Sequence, residues 1–114
     1  MAENVMLTSG HVMNMVPPAG VTATGTTDWV PKGSPDTAVQ VTVTGTGAVS
    51  ATVNVECSND GVSALATPAG TITLAGTGSA SDGFVTQNAS WKFIRLNVTA
   101  LSGTGATITA TLGI

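Results

Sequence analysis

The chain is short of charged side chains. Only 8% of its 114 residues are Asp, Glu, Lys or Arg, three of them basic and six acidic, and the formal net charge is −3. An ordinary soluble domain carries about 25%. Three basic side chains are too few to neutralise a run of phosphates or to hold an anionic membrane, so we expect neither nucleic acid nor membrane as a partner. Because net charge keeps dissolved molecules apart, this composition favours a protein whose surface is covered in an assembly.

Residue types that perform chemistry are equally scarce. The chain has one His, His11, and one Cys, Cys57, which lies in phase with the valines of a predicted strand and is expected to be a buried thiol. Nucleophilic catalysis needs a nucleophile, a base and an orienting group, and transition-metal sites need clustered His and Cys. Asp36, Asp60 and Asp82 each fall in a turn signal, where Asp usually caps its own backbone. The sequence therefore predicts a protein that is not an enzyme and binds no metal and no cofactor.

The scarcity of Cys, of basic residues and of long apolar runs also indicates where the protein is made. A single Cys excludes a disulfide within the chain. The opening residues, MAENVMLTSGHVM, contain an acidic residue and lack the basic segment of a secretory signal. No apolar run approaches the roughly 20 residues of a membrane-spanning helix. We therefore expect the chain to be made and folded in a cytosol.

Thr, Val, Ala and Gly are abundant, and they alternate with the two-residue period of a β-strand. Apolar residues fall on every second position of 37–44 and 48–57, the longest strand-like run covers 89–101, and further runs cover 21–27, 70–75, 84–85 and 106–114. The segments GTG at 45–47, SNDG at 58–61 and SGTG at 102–105 predict turns, the first and third of them hairpin turns. This pattern predicts an all-β fold, an antiparallel β-sandwich or jelly roll of about seven or eight short strands.

The first twenty residues differ from the rest. All four methionines lie there, and the segment ends in Pro17-Pro18-Ala19-Gly20. Two consecutive prolines cannot continue a helix or a central strand. We therefore expect residues 1–20 to form an extended arm or edge strand followed by a linker, and residues 21–114 to form the sandwich. Met6, Met13 and Met15 suit an apolar groove on a neighbouring chain. The alternative is a frayed terminus.

The segment WKFIRLNV, residues 91–98, concentrates the large side chains. On a strand, Ile94 and its alternate neighbours face the core, whereas Trp91, Phe93 and Arg95 share the opposite face. Aromatic residues and Arg are enriched at protein interfaces, so these three, with Trp29 of the loop 28–36, are candidate interface residues. Two alternatives stay within the chain: a bulge near Phe93 that turns an aromatic ring inward, or a loop that covers this face.

Two family resemblances are carried by these segments. VNVECSNDG (53–61) followed by WKFIRLNVT (91–99) resembles discoidin-type jelly-roll modules, which implies a β-sandwich and, in some members, glycan binding. The tryptophan that such modules usually carry close behind the Asp-Gly turn is missing, because residues 62–65 read VSAL. No sugar-contacting residue can therefore be transferred to this chain.

ITLAGTGSASDGF (72–84) and SWKFIRLNVTALSGTGATITATL (90–112), together with the short length and low charge, resemble small structural proteins of tailed bacteriophages. The resemblance implies a capsid decoration or cement protein, located in the virion and assembled in the host cytoplasm. Such a protein would bind the major capsid protein and copies of itself, as a dimer or trimer, and stabilise the shell. Two alternatives remain: a glycan-binding module of a fibre, in which Trp29 or Trp91 stacks on sugar rings, and a tail-tube or baseplate component.

Overall fold

The structure is a computed structural model that describes residues 12–33, 35–86 and 90–114. It contains six strands: β1 (Val12–Asn14), β2 (Gly25–Thr26), β3 (Val30–Pro31), β4 (Thr37–Ser58), β5 (Gly70–Thr86) and β6 (Phe93–Gly113). They form one antiparallel sheet in the order β1-β6-β4-β5, and β2 and β3 also pair with β6. The predicted all-β, antiparallel, sandwich-like fold is confirmed. No helix in the described part of the chain is long and apolar enough to cross a bilayer.

The strands are fewer and longer than the sequence predicts. The predicted hairpin turns at 45–47 and 102–105 are wrong, because both segments lie inside strands, β4 and β6. Pairing between these strands continues past both segments, from Thr44 opposite Thr107 to Ser50 opposite Ser102, with shifts of register between. Glycine with positive φ occurs in β-bulges as well as in hairpin turns. Here the glycines bend the strands without ending them.

The bend folds the sheet into two layers. Thr86, the last residue of β5, pairs with Thr37, whereas Phe93, the first residue of β6, pairs with Ser58 at the other end of β4. Residues 87–92 can span only about 25 Å. A straight strand of 22 residues would span about 70 Å, and the longest dimension of the whole molecule is 38 Å. Both ends of β4 must therefore lie at the same end of the molecule.

We call β1 with 37–44, 79–86 and 107–113 the first layer. The second layer consists of 48–58, 70–77 and 93–102 with β2 and β3. The core lies between the layers and contains alternate residues of the long strands, as the period of two predicts: Met15, Val39, Val41, Val43, Val49, Ala51, Val53, Val55, Cys57, Ile72, Leu74, Ile94, Leu96, Val98, Ala106, Ile108, Ala110 and Leu112. Burial of each large aliphatic side chain contributes about 1.5–3 kcal/mol.

Residues 12–32 follow the outer edge of β6 along almost its whole length. β1 pairs with 111–113, Val21 with Ile108, β2 with 97–98 and β3 with 93–94. The prolines at 17 and 18 form a tight turn, closed by the Gly20 amide donating to the Pro17 carbonyl at 2.8 Å, after which the chain returns to the same edge. Residues 12–20, for which the sequence predicts an extended arm or edge strand and then a linker, therefore run along an edge of the sheet. Residues 1–11, including Met6 and His11, lie outside the described residues.

Candidate functional site

Arg95 is the centre of a polar cluster on the outer side of the second layer. Its guanidinium lies 4.3 Å from the ring centroid of Trp29, and its Nε donates to Glu56 Oε1 at 2.8 Å. The amide of Asn97 donates to the other oxygen of Glu56 at 3.1 Å. The register of the sheet creates the cluster, because Glu56 of β4 lies directly opposite Arg95 of β6. The face that carries Arg95 is thus covered by a segment of the same chain.

The segment between β2 and β3 holds Trp29 in this position. The Thr27 amide donates to the Leu96 carbonyl at 2.9 Å, and the Leu96 amide donates to Thr27 Oγ1 at 3.0 Å. Two residues beyond Thr27, the Trp29 ring covers Arg95. The sequence marks Trp29 and Arg95 as candidates, but Glu56 is missed because only the strand register reveals its partner.

Phe93 packs on the turn at 58–61. A Cβ added to Gly61, which has φ +69°, would lie 3.6 Å from the Phe93 ring. The carboxylate of Asp60 accepts hydrogen bonds from the Ser58 hydroxyl at 2.7 Å and from the amides of Ser63 and Val62, each at 2.8 Å. These bonds, that of Ser58 foremost, hold the pKa of Asp60 well below its usual range. The predicted turn is confirmed, and the carboxylate of Asp60 caps it.

The remaining candidate residues are scattered. Trp91 is 38% exposed and lies before β6, beside a shallow depression of about 240 Å³ that Gly33 and Pro35 also line. Met15 is 5% exposed in the chain's own core, and Met13 packs against that core. The structure therefore brings Arg95 and Trp29 together and places Met15 in the lining of one cleft with Trp29, whereas Trp91 and Met13 lie apart from them.

A lysine that the sequence analysis did not single out closes one end of the sandwich. Lys32 is 1% exposed, and its Nζ donates to the Pro35 carbonyl at 3.1 Å. Burial lowers the pKa of Lys32, while nearby Cys57 and Asp36 act in the opposite direction. Burial also raises the pKa of the Cys57 thiol, which is buried as predicted. Among the described residues, no group of three His, Cys, Asp or Glu side chains could hold a metal ion.

A cleft of about 410 Å³ opens between residues 14–17 and 26–30. Its wall contains the apolar side chains of Met15, Val21 and Val30, and its polar groups include Asp28 and Asn14. Trp29 also lines it. Its size and mixture of apolar and polar groups fall in the range of small-ligand sites.

The outer face of the first layer, which we call the uncharged face, carries no ionisable side chain in the described residues. Its members alternate with core residues along β1, β4, β5 and β6: Val12, Asn14, Ala38, Gln40, Thr42, Thr44, Ser79, Ser81, Gly83, Val85, Thr107, Thr109, Thr111 and Gly113. Ser81 accepts a hydrogen bond from Gln40 at 3.1 Å and shares one with Thr42 at 2.9 Å. Val12 and Val85 are 43% and 57% exposed. The side chains of this face are polar and uncharged over most of its area, and they are apolar at the end where Val12 and Val85 lie.

Searches against protein-family models, curated proteins and solved structures found no match.

Proposed function

We propose that this chain is a non-enzymatic structural protein of a bacteriophage virion. In this proposal it is a capsid decoration protein that binds the major capsid protein and copies of itself and stabilises the shell. The uncharged face carries the proposal. Four neighbouring strands expose it, and none of its described members can ionise. Charged residues are depleted at the centres of protein interfaces, and a surface with so little charge is better suited to contact with protein than to free solution.

The distribution of charge supports the same proposal. Asp82 is the one charged residue in the strands of the first layer, as far as the structure describes them, and its neighbours on β4 and β6 are uncharged. The other charged residues that the structure describes lie in the loop 28–36 or at the ends of the second-layer strands: Asp28, Lys32, Asp36, Glu56, Asp60, Lys92 and Arg95. The molecule thus has a polarised surface. We propose that the uncharged face lies against the shell and that the charged end of the sandwich faces the solvent.

The experiment uses shells assembled from the proposed partner, the major capsid protein of the same phage. Purified protein is added, bound and free fractions are separated by sedimentation, and thermal disruption of the shells is followed with and without it. Thr109→Lys places a charge near the centre of the uncharged face, where Thr109 is exposed opposite Thr42. We expect it to weaken shell binding by at least about tenfold, because a desolvated unpaired charge is costly. Full binding by Thr109→Lys would contradict the proposal, and recovery of the protein on tails rather than heads would favour the tail component.

One observation favours a second candidate, a glycan-binding module. In the cleft at 26–30, an aromatic ring, a carboxylate and an amide adjoin apolar side chains. Pyranose rings present C–H faces to aromatic rings and hydroxyls to carboxylates and amides. A glycan array probed with the isolated protein tests this, with Asp28→Ala as the variant expected to lose binding. Glycan binding that Asp28→Ala does not change would locate the sugar elsewhere and remove the cleft from consideration.

A further inference from the structure

One edge of the sheet is open. β5 pairs with β4 on one side from Thr86 to Gly70. Within the described ranges, no backbone hydrogen bond to another segment reaches its other side. The opposite edge of the sheet differs, because residues 12–32 cover β6 and bring Pro17, Pro18 and Pro31 with them. An open strand edge presents unpaired amide and carbonyl groups that can pair with another strand.

The two halves of this edge are not equivalent. Asp82 lies opposite the buried Val41, so its side chain belongs to the core side of the sheet although it is exposed at the edge. An inward-pointing charge on an edge strand discourages pairing with another chain. Asp82 has this effect on the first-layer half of β5. The second-layer half, 70–76, reads GTITLAG, with no charge and no proline. Only this half is suited to pairing.

We propose that residues 70–76 pair antiparallel with the same residues of a second copy, which continues the second layer across a two-fold axis. The proposal rests on the function above, since it names the self-association of that decoration protein. A second copy fits this edge, because the alternation of side chains in 70–76 lets the segment pair with itself and sets no like charges opposite each other, although each chain carries a net charge of −3.

The alternation of side chains fixes the register. Residues opposite each other in a sheet must point to the same face, so a strand that pairs with its own copy must place some residue opposite itself. The middle of 70–76 is Thr73. Pairing centred there sets Ile72 of one copy opposite Leu74 of the other, both on the core side, and Thr71 opposite Ala75, both on the outer side. The exposed Thr73 side chains of the two copies become direct neighbours, an arrangement that favours β-branched pairs.

Such a dimer has a consequence for shell binding. Each unit would present two uncharged faces, so the second face to bind would act at high effective concentration. A variant that cannot dimerise should still bind through one face, but more weakly. Dimerisation and shell contact therefore depend on different residues of the chain.

Light scattering after size exclusion tests the dimer. We expect the wild-type chain at micromolar concentration to have twice the 11.2 kDa mass of one chain. Thr73→Lys and Thr73→Glu should each halve it, because like charges would lie directly opposite, and an equimolar mixture of the two variants should restore it. Thr109→Lys, the control on the uncharged face, should remain dimeric. Thr73→Cys should form an intermolecular disulfide under mild oxidation, whereas Thr109→Cys should not.

A monomeric wild-type chain, or a Thr73→Lys variant that stays dimeric, would overturn this inference. So would Thr73→Lys and Thr73→Glu variants that stay monomeric when mixed. These results decide only whether the dimer forms, and loss of the dimer would weaken shell binding without abolishing it. The sedimentation of Thr109→Lys tests the shell-binding face separately. Conversely, a dimeric Thr109→Lys chain that still binds shells would contradict the proposed face and leave the dimer intact.

Discussion

Arg95 joins two parts of the chain, because its guanidinium lies over the Trp29 ring and its Nε forms an ion pair with Glu56. The side chains of Arg95 and Glu56 are only 20% and 12% exposed. We expect Arg95→Glu to lower the free energy of unfolding by about 1–3 kcal/mol, because it removes a cation–π contact and sets two carboxylates against each other. Urea unfolding followed by tryptophan fluorescence measures this change.

Arg95→Lys is the matched control. It keeps the positive charge but lacks the planar guanidinium, which stacks on the Trp29 ring and donates hydrogen bonds along its edge. It should fall between the wild type and Arg95→Glu. If Arg95→Glu unfolds like the wild type but has a different oligomeric mass, Arg95 belongs to a contact between chains, as the sequence alone predicts. That result would contradict the internal role that the contacts with Trp29 and Glu56 indicate.

The residues of each strand that face the core could be predicted, because this depends only on the local alternation of apolar and polar residues. Val39, Val41 and Val43 are buried as their spacing indicates, and so are Ile94 and Leu96. The positions at which strands end could not be predicted in the same way. A glycine that permits positive φ marks a bulge and a hairpin turn alike, and only the partner strand decides between them.

The polar contacts of the site were harder to predict than the core. The hydrogen bond between Arg95 and Glu56 joins residues 39 apart in the chain, so it follows from register and not from any local pattern. Lys32 is similar: its burial depends on the meeting of both ends of β4, which the sequence does not reveal. Asp60 was easier, because the turn that it caps is encoded locally by residues 58–61, whereas the packing of Phe93 on that turn follows from register, which sets Phe93 opposite Ser58.

The turn at 58–61 should make the free energy of unfolding depend on pH in the acid range. Hydrogen bonds from Ser58, Ser63 and Val62 depress the pKa of Asp60, so the unfolded chain binds this proton more tightly than the folded chain. The stabilisation is complete above the ordinary Asp pKa of about 3.9 and is lost as the pH falls through the lower folded pKa. Asp60→Asn should therefore show a weaker loss of stability in acid than the wild type. Urea midpoints measured between about pH 5 and pH 2 provide the test.

Ser58→Ala serves as the control for this effect, because it removes the donor that contributes most to the depressed pKa. It should reduce the acid dependence in part and leave the amide bonds of Ser63 and Val62 in place. Equal acid dependence in the wild type and in Asp60→Asn would show that other carboxylates account for it.

Phe84 closes the β5 side of the sandwich by packing its ring on Gly70 of the same strand, across the gap between the layers. A Cβ at position 70 would overlap the ring, so Gly70→Ala should cost about 1–3 kcal/mol as an overpacking change. Adding Phe84→Leu should recover part of that loss, since a smaller side chain leaves room for the methyl group. The unfolding free energies of both single variants and the double variant give the coupling. Additive effects would mean that the two residues do not touch.

The bends in β4 and β6 offer a sharp check on the fold, because two glycines there differ in their backbone conformation and in what surrounds them. Gly47 and Gly103 both have positive φ, +73° and +122°. A Cβ on Gly47 would meet nothing within 4 Å, whereas one on Gly103 would lie 2.7 Å from the Ala48 carbonyl oxygen. Gly47→Ala should therefore cost only the backbone strain, about 1–2 kcal/mol.

Gly103→Ala should cost more, about 3–5 kcal/mol, because a φ of +122° is harder for a residue with a Cβ to adopt and because steric overlap with β4 adds to that strain. If residues 102–105 formed a hairpin turn away from β4, as their sequence alone suggests, the overlap would be absent and the cost would stay within the backbone strain, about 1–3 kcal/mol. Urea unfolding of both variants measures these costs. A cost for Gly103→Ala above that range would indicate that β6 passes beside Ala48 at this point, and therefore that the long strands bend together.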